Sequence, residues 1–225
     1  MDIDMNIFDL AFFIGCFPFW FCSLYFFKKC SNTFDIAKNA NHFLHALLFV
    51  SLYRLETYLD IKYLILMSIG FYTYDLLYIL YIIAFQREKP FKHLPFIVHH
   101  VIANYGLYLA FTAYMTAHIL YLYYLLEFSN FMLYTSYYVS KRWPKYKNLQ
   151  LVSFSFQFVW YSYFRVVRYA LYMYKIWTIF LTVTHYVMVA NALLFAMGLF
   201  WSYKLFRKCL KELKVIDVVE KSKSS

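Results

Sequence analysis

Apolar residues run along this chain in long blocks, and the charged residues collect in the short stretches between them. A helix crosses a hydrocarbon core of about 30 Å with about 20 mostly apolar residues. Seven blocks reach or approach that length: 7–27, 41–59, 63–85, 96–112, 117–139, 151–172 and 178–201. The second is the weakest, since Arg54 and Glu56 sit near its end. The first carries Asp2, Asp4 and Asp9, and it lacks the basic start and small-residue cleavage site of a secretory signal, so it reads as a retained helix. The pattern predicts an all-α fold, a polytopic transmembrane helical bundle of about seven spans.

Composition agrees with a bilayer setting. Hydrophobic residues make up 63% of the 225 residues and charged ones 15%, against about 45–50% and about 25% in soluble domains. So much apolar surface would precipitate unless lipid or a core covered it. Aromatics at 25%, with 4 Gly and 4 Pro, exclude disordered and collagenous chains. A net charge of +10 could point to nucleic acid, but its placement between apolar blocks argues against that partner. Of the 22 basic residues, 17 fall in the odd-numbered connections and the C-terminal tail, while only Arg54, Lys62 and Lys175 fall on the other side. Short loops rich in Lys and Arg stay in the cytosol, so the C-terminus is expected there and the N-terminus opposite. The final residues place Lys221 and Lys223 as in a K-x-K-x-x retrieval signal of the endoplasmic reticulum, which coat proteins would read. The four cysteines, Cys16, Cys22, Cys30 and Cys209, form no paired framework and no zinc spacing.

Ionisable side chains inside a bilayer cost about 2.5–3.5 kcal/mol on insertion scales, so they need partners or a polar cavity. Asp75 lies in the third block, Glu127 in the fifth, and Arg165 and Arg168 in the sixth. Two acids and two bases at overlapping depths could neutralise one another as structural ion pairs. In the fourth block, His100, Asn104, Tyr108 and Thr112 fall on one i, i+4 stripe behind the adjacent pair His99-His100. A histidine there could serve as general base or acyl acceptor toward a lipid. The plainer alternative is an imidazole satisfied by an interhelical hydrogen bond, which one sequence favours. His42 and His45 are three apart, but no carboxylate or thiolate in their block completes a metal set, so no metal is expected.

Several strings in order are similar to one family, the TLC domain shared by ceramide synthases, translocating-chain-associating proteins, the CLN8 type and smaller TLC-domain proteins. "FLHALL" with His45, "SIGFYTYDLL" with Gly70 and Asp75, "FIVHHVIA" with His99 and His100, "LLEFSNF" with Glu127 and Ser129, "FRVVR" and "FWSYKLFRK" carry the resemblance over roughly 41–208. Residues 1–40 are then an N-terminal helix with its loop, and 209–225 a basic cytosolic tail. Ceramide synthases carry H-D-x-S-D where this chain reads Leu126-Glu127-Phe128-Ser129-Asn130. That departure places the sequence nearer the small TLC-domain and CLN8-like branch. The resemblance implies lipid handling in the endoplasmic reticulum membrane: lipid sensing, binding or regulation of membrane lipid composition. It implies membrane lipids as partners and no cofactor. Two alternatives stay open: a lipid acyltransferase, with acyl-CoA as co-substrate and His99, His100, Asp75 and Glu127 as catalytic candidates, and a transport or translocation accessory. Association with a second copy of the chain also stays open. The polar set expected around the lipid is His45, Asp75, His100, Asn104, Tyr108, Glu127, Ser129, Arg165 and Arg168.

Overall fold

A computed structural model describes residues 6–31, 33–55, 60–86, 89–112, 116–177 and 185–224, the side chains of 112, 116, 185–188 and 214–224 excepted. Its elements are α1 (Ile7–Cys30), α2 (Phe34–Arg54), α3 (Ile61–Phe85), α4 (Pro90–Thr112), α5 (Thr116–Arg142), α6 (Lys147–Ser162), a π-helical turn (Tyr163–Arg168), α7 (Tyr169–Trp177) and α8 (His185–Ser224). There is no strand among the described residues. Because α6, the π turn and α7 run on without a break, these elements make seven rods. Four of them, α1, α3, α4 and the Val189–Leu213 part of α8, are long and apolar enough by themselves to cross a membrane. The other three carry Asn41, His45, Glu127, Ser129, Gln157 and Arg165 turned inward.

Side-chain contacts set the direction of each rod. Asn104 against Thr73 and His100 against Asp75 make α3 and α4 antiparallel. Arg54 against Tyr124 and Asn39 against Tyr134 do the same for α2 and α5, and Trp160 against Phe128 with Arg168 against Tyr121 for α5 and the α6–α7 rod. α1 and α3 run in parallel, joined by Phe12–Tyr63 and Trp20–Phe71. The rods close a ring in the order α1, α3, α4, α8, α6–α7, α5, α2, and α4 also meets α5 across the middle. Among the described residues the α4–α8 seam is the ring's slightest contact. The surface is apolar, with Ile7, Phe8, Ile14, Tyr108, Val152 and Leu171 exposed, whereas Asp9, His45, Asp75, His100, Glu127 and Arg165 are buried. A soluble protein has the reverse arrangement, and a bundle solvated by lipid needs this one.

Local chemistry explains where the rods begin. Asn6 and Asp9 form a capping box at the start of α1: Asn6 Oδ1 accepts from the Phe8 and Asp9 amides, and Asp9 Oδ2 accepts from the Asn6 amide. The buried Asp9 carboxylate is then held by Lys62 Nζ at 2.8 Å, which ties α1 to the first turn of α3. Thr33 caps α2, so this helix begins seven residues before the expected 41 and carries Lys38 inside it. Residues 56–59, the end of the expected block, lie outside the described residues. α8 runs to Ser224 over 40 residues, about 60 Å at 1.5 Å per residue, roughly twice the hydrocarbon thickness. The basic end is therefore a projecting helix, and the side chains of Lys221 and Lys223 lie outside the described residues.

Candidate functional site

Inside the ring the helices converge on a chain of polar side chains. α2 contributes Lys38, His42 and His45, spaced i, i+4, i+7 and so on one face. Asp75 of α3 is their first partner: its Oδ1 accepts from Lys38 Nζ at 3.2 Å and lies 3.3 Å from His42 Nε2. Its Oδ2 lies 2.8 Å from His100 Nε2 on α4. An ionised carboxylate only accepts, so each imidazole turns an N–H toward it. In a neutral His100 that leaves Nδ1 with its lone pair, and this buried nitrogen has no hydrogen-bond partner among the described residues.

The second acid sits one helix away. Tyr72 of α3 donates its hydroxyl hydrogen bond to Glu127 Oε1 on α5, and His45 Nδ1 lies 3.7 Å from Glu127 Oε2. His45 is held in place by its other nitrogen, 3.3 Å from Ser68 Oγ, and by stacking flat on Phe71 at 4.0 Å between ring centres. The Tyr72 ring lies 5.5 Å from the His100 ring and bridges the two acid sites.

Arg165 completes the cluster. It lies in the π turn and is 1% exposed. Its Nη1 donates to Asn130 Oδ1 at 3.1 Å and, at longer range, to the Leu126 carbonyl and Ser129 Oγ. The guanidinium lies over the rings of Tyr161 and Trp201. Among the described residues Nε and Nη2 have no hydrogen-bond partner, and His99 Nδ1 is another buried atom without one. His99 lies 5.4 Å from His100 and 6.1 Å from Trp201, ring to ring. Gly198 on α8 permits this packing, since a Cβ there would stand 3.1 Å from Arg165 Cγ and 3.2 Å from its carbonyl oxygen.

Eight of the expected residues thus come together: His45, Asp75, His99, His100, Asn104, Glu127, Ser129 and Arg165. Asn104 Nδ2 donates to Thr73 Oγ1 at 3.2 Å. Two lie elsewhere. Tyr108 is 57% exposed, because each i+4 step advances about 40° around the helix and two steps turn it about 80° from His100; Thr112, next on the stripe, has no described side chain. Arg168 faces outward with Nη2 on Tyr121 Oη at 2.9 Å. On an α-helix Arg165 and Arg168 would sit about 60° apart, but the i→i−5 wind of the π turn, seen in the Tyr169 amide bonding the Phe164 carbonyl, spreads them. The expected pairing of both arginines with the two acids does not occur. Asp75 is matched by Lys38, and among the described residues Arg165 has neutral acceptors on its Nη1 alone. Lys38, His42, Tyr72 and Asn130 were absent from the expected set. The first two were legible as one face with His45 had the Thr33 cap been read as the start of α2.

Chemically, the cluster holds two acids, Asp75 and Glu127, near one partly exposed lysine and one buried arginine, and the remaining donor and acceptor atoms of Arg165, His99 and His100 suit a polar group brought from outside. No set of three His, Cys, Asp or Glu with metal-binding geometry occurs among the described residues. The family model of the TLC domain matches residues 6–207, taking in α1 as well as the stretch covered by the motif strings. No curated protein and no solved structure matches the chain.

Proposed function

This chain belongs to the TLC domain family, and from that premise we propose that it handles a membrane lipid, binding the polar part of that lipid at the interior cluster and so sensing or adjusting membrane lipid composition. The observation that carries this reading is the buried Arg165 fork, two of whose nitrogens have no hydrogen-bond partner among the described residues, beside the Nδ1 atoms of His99 and His100, which likewise have none there. A buried guanidinium without an acid costs stability unless a group with acceptor oxygens completes it. The slight α4–α8 seam, where Phe96 and His99 meet Trp201, offers a lateral way in from the bilayer. Within the family we place the chain nearer the small TLC-domain and CLN8-like branch, on Leu126 and Asn130. We assign it to the endoplasmic reticulum with its C-terminus in the cytosol, on the distribution of basic residues and the Lys221 and Lys223 ending.

One observation favours a second reading. Asp75 orients His100 at 2.8 Å and leaves its other nitrogen as a base, the arrangement that a lipid acyltransferase would need to take a proton from an attacking hydroxyl or amine. Against it, Leu126 fills the position of the second family histidine, and its backbone carbonyl serves Arg165. Purified protein given fatty acyl-CoA and a sphingoid base separates the two. The lipid-handling reading expects no turnover, together with an altered set of co-purifying lipids in His99→Ala and His100→Ala. Turnover lost with either histidine establishes the enzyme instead.

A further inference from the structure

A groove of about 570 Å³ lies along α5, between the last turn of α2 and the π turn. Its polar part holds two arginines. Arg54 Nη2 donates to Tyr124 Oη at 2.8 Å and its guanidinium lies over that ring at 5.0 Å. Arg168 Nη2 donates to Tyr121 Oη at 2.9 Å. Tyr121 and Tyr124 stack on each other, so two adjacent rings of one helix brace the two cations. Both guanidiniums are exposed, and among the described residues neither lies within ion-pair distance of an acid. The rest of the groove is apolar. Leu125, Phe128 and Phe164 continue it toward the middle of the bundle. At 1.5 Å per residue, Tyr121 lies about 8 Å and Phe128 about 18 Å from the start of α5, so the cations stand nearer the membrane face and the apolar part lies deeper.

Arginine forks braced by neutral hydroxyls keep their charge and their remaining N–H groups for a planar or tetrahedral oxyanion. We propose that this groove binds an anionic phospholipid of the leaflet opposite the C-terminal end of α8. The phosphate sits between Arg54 and Arg168, and one acyl chain lies over Leu125, Phe128 and Phe164. Among the described residues no acid lines the groove to receive the ammonium of a zwitterionic headgroup, which sets the preference for net negative charge. The site stands on its own residues and holds whether or not the interior cluster binds lipid.

The test is native mass spectrometry of the purified full-length protein titrated with phosphatidylglycerol, phosphatidylcholine or inorganic phosphate. Phosphatidylglycerol should bind, and Arg54→Gln with Arg168→Gln should weaken it about tenfold or more, as the loss of charge-assisted hydrogen bonds requires. Tyr121→Phe with Tyr124→Phe keeps both charges but removes their braces, and should weaken binding to a smaller extent. That second pair decides the matter should the arginine pair fail to accumulate. Unchanged phosphatidylglycerol affinity in whichever pair is measured, equal binding of phosphatidylcholine, or displacement of the lipid by millimolar inorganic phosphate would each overturn the proposal.

Discussion

Asp75 gathers Lys38, His42 and His100 around one buried carboxylate, and removing it takes the counter-charge from Lys38, whose side chain is 31% exposed, and the acceptor from the buried His100. Breaking a buried pair from one side costs about 3–5 kcal/mol in soluble proteins. Asp75→Asn should therefore lower the thermal stability of detergent-purified protein markedly, and adding Lys38→Met should restore much of it. If Lys38→Met brings no recovery, the lysine is not the balancing charge. The buried acids were legible in the sequence because a carboxylate in an apolar block is costly against lipid and so must turn toward a polar interior. Their partners were not. Opposite charge pointed to Arg165 and Arg168, whereas the fold gives Arg165 Nη1 an asparagine amide oxygen and a backbone carbonyl, which no charge pattern reveals.

At the scale of elements, helix starts decide which residues share a face. Reading α2 from 41 put Lys38 in a loop, and the Thr33 cap moves it into line with His42 and His45. The π turn was beyond reach for a different reason: apolar blocks set the length of a rod but not a local change in its winding. Close approach of α1 and α3 was only partly legible. Gly70 stood out by its motif, yet its packing role depends on Cys16, whose Cβ would lie 2.7 Å from a Cβ at 70. Gly70→Ala should cost about 1–3 kcal/mol, as overpacking does. Cys16→Gly in the same chain should recover part of that loss, measured as melting temperature, while Cys16→Ala, which keeps the Cβ, should recover none. Equal recovery by both would place the strain elsewhere.

For the whole molecule, the apolar blocks made the all-α bundle readable because lipid, unlike water, demands an apolar outside and permits only helices or closed barrels. Ring order was not readable, since every rod has apolar faces to offer several neighbours. Single cysteines at Lys92, Lys145 and in the C-terminal tail should all be labelled from the cytosol. Protection of the tail while Lys92 is labelled would contradict an odd number of spans. Lys221→Ser with Lys223→Ser should let part of the protein leave the endoplasmic reticulum, and unchanged localisation would remove the retrieval role. A lipid bound at the interior cluster can be caught directly by cross-linking. Cells fed a photoactivatable lipid precursor would be irradiated, the protein purified, and the cross-linked positions mapped by mass spectrometry. Adducts should appear on interior positions such as Tyr72, His99, Asn130 or Trp201 and diminish with Arg165→Leu, whereas adducts confined to outward positions such as Ile14, Tyr108 and Val152 would show that lipid stays outside the bundle.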